Sequence, residues 1–240
     1  MSTSRTLLIT GAKRGIGRAI TDKVLEEGCK VIGLSRSSSQ DIEPIKGFTG
    51  VSLDLALIDS LPERLKSLHL QHPEIDGIVC NAGFGRFGSL EEFSPTQIRE
   101  LIDLNLTAPI LLAREFLPAF KKRTAGDLIF MGSEAAVSGG KKGAVYSATK
   151  FAVRGLAQSL REECAGSGVR VGIVNPGMVN TSFFDQLNFR PGDAPGDHLT
   201  PEDVADAVWL MLSARTGAVF DEINLSPQRK VIQFGKPPAD

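Results

Sequence analysis

Tyrosine is almost absent from this chain of 240 residues. There is one, Tyr146, with one tryptophan, and aromatics make up only 6% of the sequence. That scarcity excludes tyrosine as routine core or interface filler and makes Tyr146 informative. Cysteine is also sparse. Cys29, Cys80 and Cys164 are odd in number, widely spaced and without a C-x-x-C pattern, which argues for reduced thiols against a disulfide framework or a cysteine zinc site. Neither sign of charge is in excess: 27 Lys and Arg face 28 Asp and Glu, for a net charge of −1. No electrostatic footprint for nucleic acid or an anionic membrane results. No apolar run reaches the roughly 20 residues of a membrane span, and Met1-Ser2-Thr3-Ser4-Arg5 holds no signal-peptide core. The chain is expected to be soluble and cytoplasmic. No metal is expected either, because His69 and His72 form H-x-x-H with no third ligand nearby and Pro73 ends their helix.

What is present is alternation. Short β-branched or leucine-rich runs at 6–10, 30–34, 50–53, 75–80, 127–131, 169–174 and 218–224 alternate with helical periodicity at 15–27, 60–69, 95–122, 145–165 and 201–214. Strands separated by helix-length segments predict βαβ units, and hence an α/β fold. The expected architecture is one Rossmann-type, doubly wound parallel sheet with helices on both faces, in a single domain over 1–240. A 42% hydrophobic composition suffices for a large core. The basic run Lys121-Lys122-Arg123 suits a helix C-terminus. The least regular stretch, 177–199, is long enough to be a functional or mobile loop.

Two local patterns carry chemistry. Tyr146 and Lys150 are spaced i, i+4, which on a helix puts phenol and ammonium on one face. A cation beside a phenol lowers its pKa from about 10 towards neutrality and makes it a usable proton donor. The plain alternative is a charged pair on a solvated helix face. Earlier, Leu7-Leu8-Ile9-Thr10 runs into Gly11-Ala12-Lys13-Arg14-Gly15-Ile16-Gly17, followed by a helical pattern. Glycines between a first strand and first helix let backbone approach a pyrophosphate at the helix N-terminus. The second strand ends Leu34-Ser35-Arg36-Ser37, without the carboxylate that would hold the ribose hydroxyls of NAD; the next acid is Asp41. Arg14 and Arg36 can instead face a 2′-phosphate. A unit-charge pair at about 4 Å is worth roughly 4 kcal/mol at an effective dielectric of about 20, before desolvation. A fraction of that favours NADP over NAD by at least about tenfold. The alternative is two solvated arginines.

Further motifs follow in order: Thr10, Gly11, Gly15, Ile16 and Gly17 in the glycine turn; Asp54-Leu55 after the third strand; Asn81-Ala82-Gly83 after the fourth; Asn105 in a helix; Ser133 after the fifth strand; Tyr146 and Lys150; and Pro176-Gly177 with Val179 and Thr181 in a P-G-x-x-x-T segment. In this set and order the chain resembles the short-chain dehydrogenase/reductase family, in its roughly 250-residue form, over nearly its whole length. Cys80 stands where many members carry an asparagine.

The resemblance implies an NADPH-dependent reductase that turns a ketone or aldehyde into an alcohol by hydride transfer. Ser133 would bond the substrate oxygen, Tyr146 would supply the proton, Lys150 would lower the tyrosine pKa and bind the nicotinamide ribose, and Asn105 would hold a water linking Lys150 to solvent. Asp54 would contact the adenine, and Thr181 the carboxamide. The substrate pocket is expected to be lined by Phe84, Phe87, residues 134–137, Met178, Phe183, Phe184, Leu187 and Phe189. Segment 177–199 would serve as an apolar lid; the alternative is a short core-facing helix. The resemblance also implies a homodimer or homotetramer built through the 95–122 and 145–165 helices. Other readings stay open. One is a 3-oxoacyl carrier-protein reductase, although the glycine pair many of those carry after the last strand is missing; Lys141, Lys142 and Arg154 would meet its acidic carrier. Another is a non-catalytic dinucleotide sensor. The third, an S-adenosylmethionine methyltransferase, is disfavoured by Arg36.

Overall fold

The computed structural model describes residues 5–36 and 45–235. In chain order the strands are β1 (Thr6–Thr10), β2 (Lys30–Ser35), β3 (Phe48–Ser52), β4 (Gly77–Cys80), β5 (Gly126–Met131), β6 (Val169–Pro176), β7 (Phe189–Pro191), β8 (Glu222–Leu225) and β9 (Ile232–Phe234). The helices are α1 (Gly15–Glu26), α2 (Leu61–Gln71), α3 (Pro95–Ile102), α4 (Ala108–Arg123), α5 (Ala144–Cys164) and α6 (Pro201–Leu212). Among the described residues, seven strands form one sheet in the order β3-β2-β1-β4-β5-β6-β8, and every pairing is parallel. The order reverses between β1 and β4, where a crevice opens at the strands' C-terminal ends.

Burial on both faces explains the continuous apolar strands. Successive residues point to opposite sides. Leu8, Ile32, Leu34, Ile78, Leu128 and Phe130 pack under α2, α4 and α5. Leu7, Ile9, Val31, Val79 and Ile129 pack under α1 and α6. Helix α5 buries Tyr146, Thr149, Lys150, Val153, Ala157, Leu160 and Cys164, a stripe at three- and four-residue spacing. Both members of the Tyr146–Lys150 pair therefore lie on the inward face, which removes the solvated-face alternative.

Several boundaries differ from expectation. The helix expected over 95–122 is interrupted by a π-helical turn, Asp103–Thr107, in which the Ala108 N–H bonds to the Asp103 carbonyl. Pro109 stands within the first two positions of α4 and has no N–H, so the Asn105 carbonyl lacks its α-helical donor. The last strand of the sheet begins at Glu222 instead of 218. Asn175 on β6 donates to both Glu222 Oε1 (3.0 Å) and Asn224 Oδ1 (2.9 Å), which pins the register there. The basic run at the end of α4 does meet a helix C-terminus, and Arg123 also donates to the Pro73 and Ile75 carbonyls.

Candidate functional site

At the crevice, β1 ends in a turn with Gly11 at φ +69° and Gly15 at φ +53°, backbone states that glycine adopts without steric cost. The N–H groups of Gly11 and Ala12 both bond to the Leu34 carbonyl (2.9 and 3.3 Å), tying the glycine turn to the end of β2. A methyl group on Gly17 would run into the Gly11 carbonyl. Ile16 packs, partly buried, against the core under α1. Helix α1 has an extended N-cap, Arg14, with no side-chain cap and no acid in its first turn. Its leading N–H groups and positive dipole end are thus left for an anion. Arg14 and Arg36 are both exposed at this rim. Ser37 and Asp41 lie outside the described residues.

Thr10 stitches β1 to the Asn81-Ala82-Gly83 turn. Its Oγ1 accepts from the Asn81 and Ala82 N–H groups (2.9 and 2.8 Å), and Asn81 Nδ2 donates back to the Thr10 carbonyl (2.9 Å). Asp54 is half-buried, with Oδ1 accepting from the Ala56 N–H at 3.0 Å. Leu55 and Val179 direct their side chains into the core, so only their main chains can face a nucleotide. Pro176 ends β6, and the Gly177 N–H bonds to the Leu225 carbonyl at 2.8 Å. Thr181 comes back over the glycine turn, its Cβ and Cγ2 3.5 Å from where a Cβ on Gly15 would lie.

After β5, the Ser133 hydroxyl lies near enough to the Tyr146 phenol on α5 to act on its ionisation. Ser133 Oγ accepts from the Ala135 N–H at 3.1 Å, capping the turn Glu134–Ala136. Lys150 is buried, and its Nζ donates to the Met131 carbonyl at 2.9 Å. Asn105 is buried on the π-helical turn. Its Oδ1 accepts from the Phe84 N–H (3.1 Å), while Nδ2 donates to the Phe84 carbonyl (2.9 Å) and to Thr149 Oγ1 (3.4 Å). The Asn105 side chain is thus clamped on Phe84's backbone.

The electrostatics correct one expectation. Lys150 does not lower the tyrosine pKa in this structure. Burial pushes the Tyr146 phenol up to about 12; the nearby Ser133 hydroxyl opposes this and the Glu134 charge adds to it. Burial also draws the Lys150 ammonium down to about 8. Desolvation dominates because Nζ is 5.7 Å from the phenol ring centroid and is held by Met131. Tyr146 is therefore a neutral phenol, a state that donates a proton.

The phenol lies among phenylalanines. Phe87 is 5.2 Å and Phe183 6.2 Å from it, centroid to centroid; Phe189 joins Phe87 at 5.0 Å, and Phe184 contacts both Phe183 (5.1 Å) and Phe189 (5.8 Å). Edge and tilted contacts of this kind are favourable beyond area burial. Three of these rings come from segment 177–199, which forms only a short turn, Ser182–Phe184, and the strand β7. That strand pairs antiparallel with β9, Phe189 opposite Phe234. Of the aromatic residues expected over the site, Phe183 and Phe184 lie on the short turn and Phe189 on β7.

The family model for short chain dehydrogenases matches residues 5–191. The chain belongs to the short-chain dehydrogenase family. It is 34% identical over 226 residues to a 3-oxoacyl-[acyl-carrier-protein] reductase of Buchnera aphidicola, covering 90% of this chain and 92% of the relative. It is 33% identical over 236 residues to an NADP-dependent 3-hydroxy acid dehydrogenase of Escherichia coli O6:H1, covering 92% and 94%. A metagenomic short-chain oxidoreductase solved in complex with NADP superposes with a TM-score of 0.79 at 29% identity, covering 94% of this chain and 98% of that one.

Within this short-chain dehydrogenase the sequence reading missed Lys230, whose Nζ meets Glu134 Oε2 at 3.1 Å. No local signal links residues so distant in sequence. Arg154, expected as a possible carrier contact, is instead paired with Glu222 at 2.8 Å. His69 and His72 take separate partners, Glu115 at 3.0 Å and Glu74 at 3.3 Å. Among the described residues no group of three His, Cys, Asp or Glu is placed to hold a metal. Nor, among the described residues, is any helix long and apolar enough to cross a membrane.

Proposed function

We propose that this chain reduces a ketone or aldehyde to an alcohol with NADPH as hydride donor. The carrying observation is the neutral Tyr146 phenol enclosed by aromatic rings, with the Ser133 hydroxyl acting on it and Lys150 buried one helical turn away. Ser133 bonds the substrate oxygen as it gains charge, and Tyr146 delivers the proton. The ammonium of Lys150, held at the Met131 carbonyl, binds the nicotinamide ribose hydroxyls. NADP, when bound, supplies the hydride. The residues present fit it: left-handed glycines, an uncapped α1 terminus, and two exposed arginines with no acid between Leu34 and Arg36. The relatives' NADP dependence supports the same choice. Asp54, Asn81, Ala82, Gly83, Pro176, Gly177 and Thr181 complete the proposed nucleotide site. Segment 177–199 acts as its lid.

The test is loss of NADPH absorbance against ketones, aldehydes and a 3-oxoacyl thioester, with NADH in parallel. NADPH turnover is expected; binding of neither nucleotide would sink the reading. The thioester is a second reading, favoured by the Buchnera relative. Replacing Arg14 and Arg36 together with alanine is expected to cut the NADPH-to-NADH ratio of kcat/KM by about tenfold or more. An unchanged ratio assigns the preference elsewhere.

Reduction should also slow as pH rises past about 8. Above that value Lys150 loses its proton while the phenol keeps its own to about 12. The alkaline limb of kcat/KM thus belongs to the lysine. In Lys150→Arg, whose charge does not titrate, the limb should move upward; an unmoved limb contradicts the assignment. A cytoplasmic homodimer or homotetramer is part of this proposal, supported by the exposed Ile102, Ile110 and Phe151 on α3, α4 and α5.

A further inference from the structure

Beside the hydroxyl pair stands one ion pair. Glu134 follows Ser133 directly, and its Oε2 is 3.6 Å from where a Cβ on Gly177 would lie. Its carboxylate therefore lies beside the Gly177 turn, near enough for its charge to act on the Tyr146 phenol. Lys230 reaches it from the stretch ahead of β9, with Nζ 3.1 Å from Oε2. The two side chains are 43% and 69% exposed. Exposed pairs of this kind contribute little to folding, so the fold does not depend on it. For the chemistry an unneutralised Glu134 is adverse, because a carboxylate opposes negative charge developing on a nearby oxygen. A cation on Glu134 removes that opposition. In the free protein Lys230 supplies it, from a flexible stem rooted in another segment.

We propose that Glu134 is a specificity-determining residue that takes the protonated amine of an amino ketone, with Lys230 standing in for that ammonium until substrate arrives. This inference rests on the reductase reading above. The phenylalanine rings accept the hydrocarbon part of such a substrate, and their faces also attract a cation. An anionic substrate held by Lys230 would instead strip Glu134 of its partner and place two carboxylates side by side.

Binding can be read without turnover by fluorine NMR, using para-fluorobenzylammonium and para-fluorobenzoate with the full chain, with and without NADP⁺. Wild type should bind the ammonium probe at least about tenfold more tightly than the benzoate. Lys230→Ala, which removes the internal competitor, should tighten the ammonium probe several-fold. Glu134→Gln should erase the preference. Preference for benzoate, or an ammonium preference that survives Glu134→Gln, overturns the proposal. A kinetic arm compares kcat/KM for an amino ketone and a shape-matched neutral ketone. Their ratio, about 10 in wild type, should fall to about 1 in Glu134→Gln, a loss of about 1.4 kcal/mol of discrimination. Turnover with no charge preference overturns the Glu134 assignment and leaves the reductase reading standing. Ammonium preference with no turnover of any carbonyl supports the cation site and overturns the reductase reading.

Discussion

Tyr146→Phe is expected to lower kcat for reduction by about 10²–10⁴, the usual contribution of a positioned proton donor, with nucleotide affinity nearly unchanged. The substitution removes one oxygen and keeps the ring, so the contacts with Phe87 and Phe183 survive. What is lost is the neutral phenol hydroxyl that burial maintains. The glycine turn and the α1 terminus lie on other elements and are untouched. Steady-state kinetics beside a nucleotide-binding titration separates the effects. A mutant with wild-type turnover would remove Tyr146 from the proton path, whereas parallel loss of rate and nucleotide binding would indicate a damaged site.

Asp127→Ala is expected to destabilise the fold by about 3–5 kcal/mol, the range for removing one partner of a buried ion pair. In a chain of this size that lowers Tm by on the order of 10 °C. Asp127 opens β5 at the end of the sheet opposite the crevice, and its side chain is 6% exposed. Arg170 grips it with both ends of its fork, at 2.7 and 3.0 Å, and Arg5 adds a second guanidinium. The same arginines donate to the carbonyls of Leu212 and Ala214 at the end of α6. Without the carboxylate, Arg5 keeps Asp76 at 3.1 Å, while Arg170 loses the acid its fork grips and stays beside those carbonyls. Thermal unfolding monitored by circular dichroism checks the loss, and Michaelis kinetics below the transition should be unaltered. A Tm within 2 °C of wild type, about what 1 kcal/mol or less would produce, would show that the cluster is solvated and weak.

Most of the sheet was legible because its strands are buried on both faces and its helices have long apolar stripes. Periodicity reports that kind of burial directly. The glycine turn, Asn105, Ser133, Tyr146 and Lys150 were legible as motifs, and the fold brings them to one crevice. Less accessible was anything set by partners distant in sequence. Strands β7 and β9 have three residues each, too few to show a period. The π-helical turn hides inside a continuous helical pattern, with Pro109 its one local sign. The tyrosine pKa was misjudged for a related reason: spacing showed a nearby cation, but not the phenylalanine rings from segment 177–199 or the Met131 carbonyl that holds the ammonium.

The chain carries a built-in optical reporter. Because Tyr146 is the sole tyrosine, any phenolate absorbance or phenol resonance comes from that one ring, with no labelling and no assignment step. In the folded protein its ionisation lies near 12; in the denatured chain it returns to about 10. Between those values the ultraviolet spectrum distinguishes a covered phenol from an uncovered one, so opening of the aromatic cover can be followed in real time on unmodified protein.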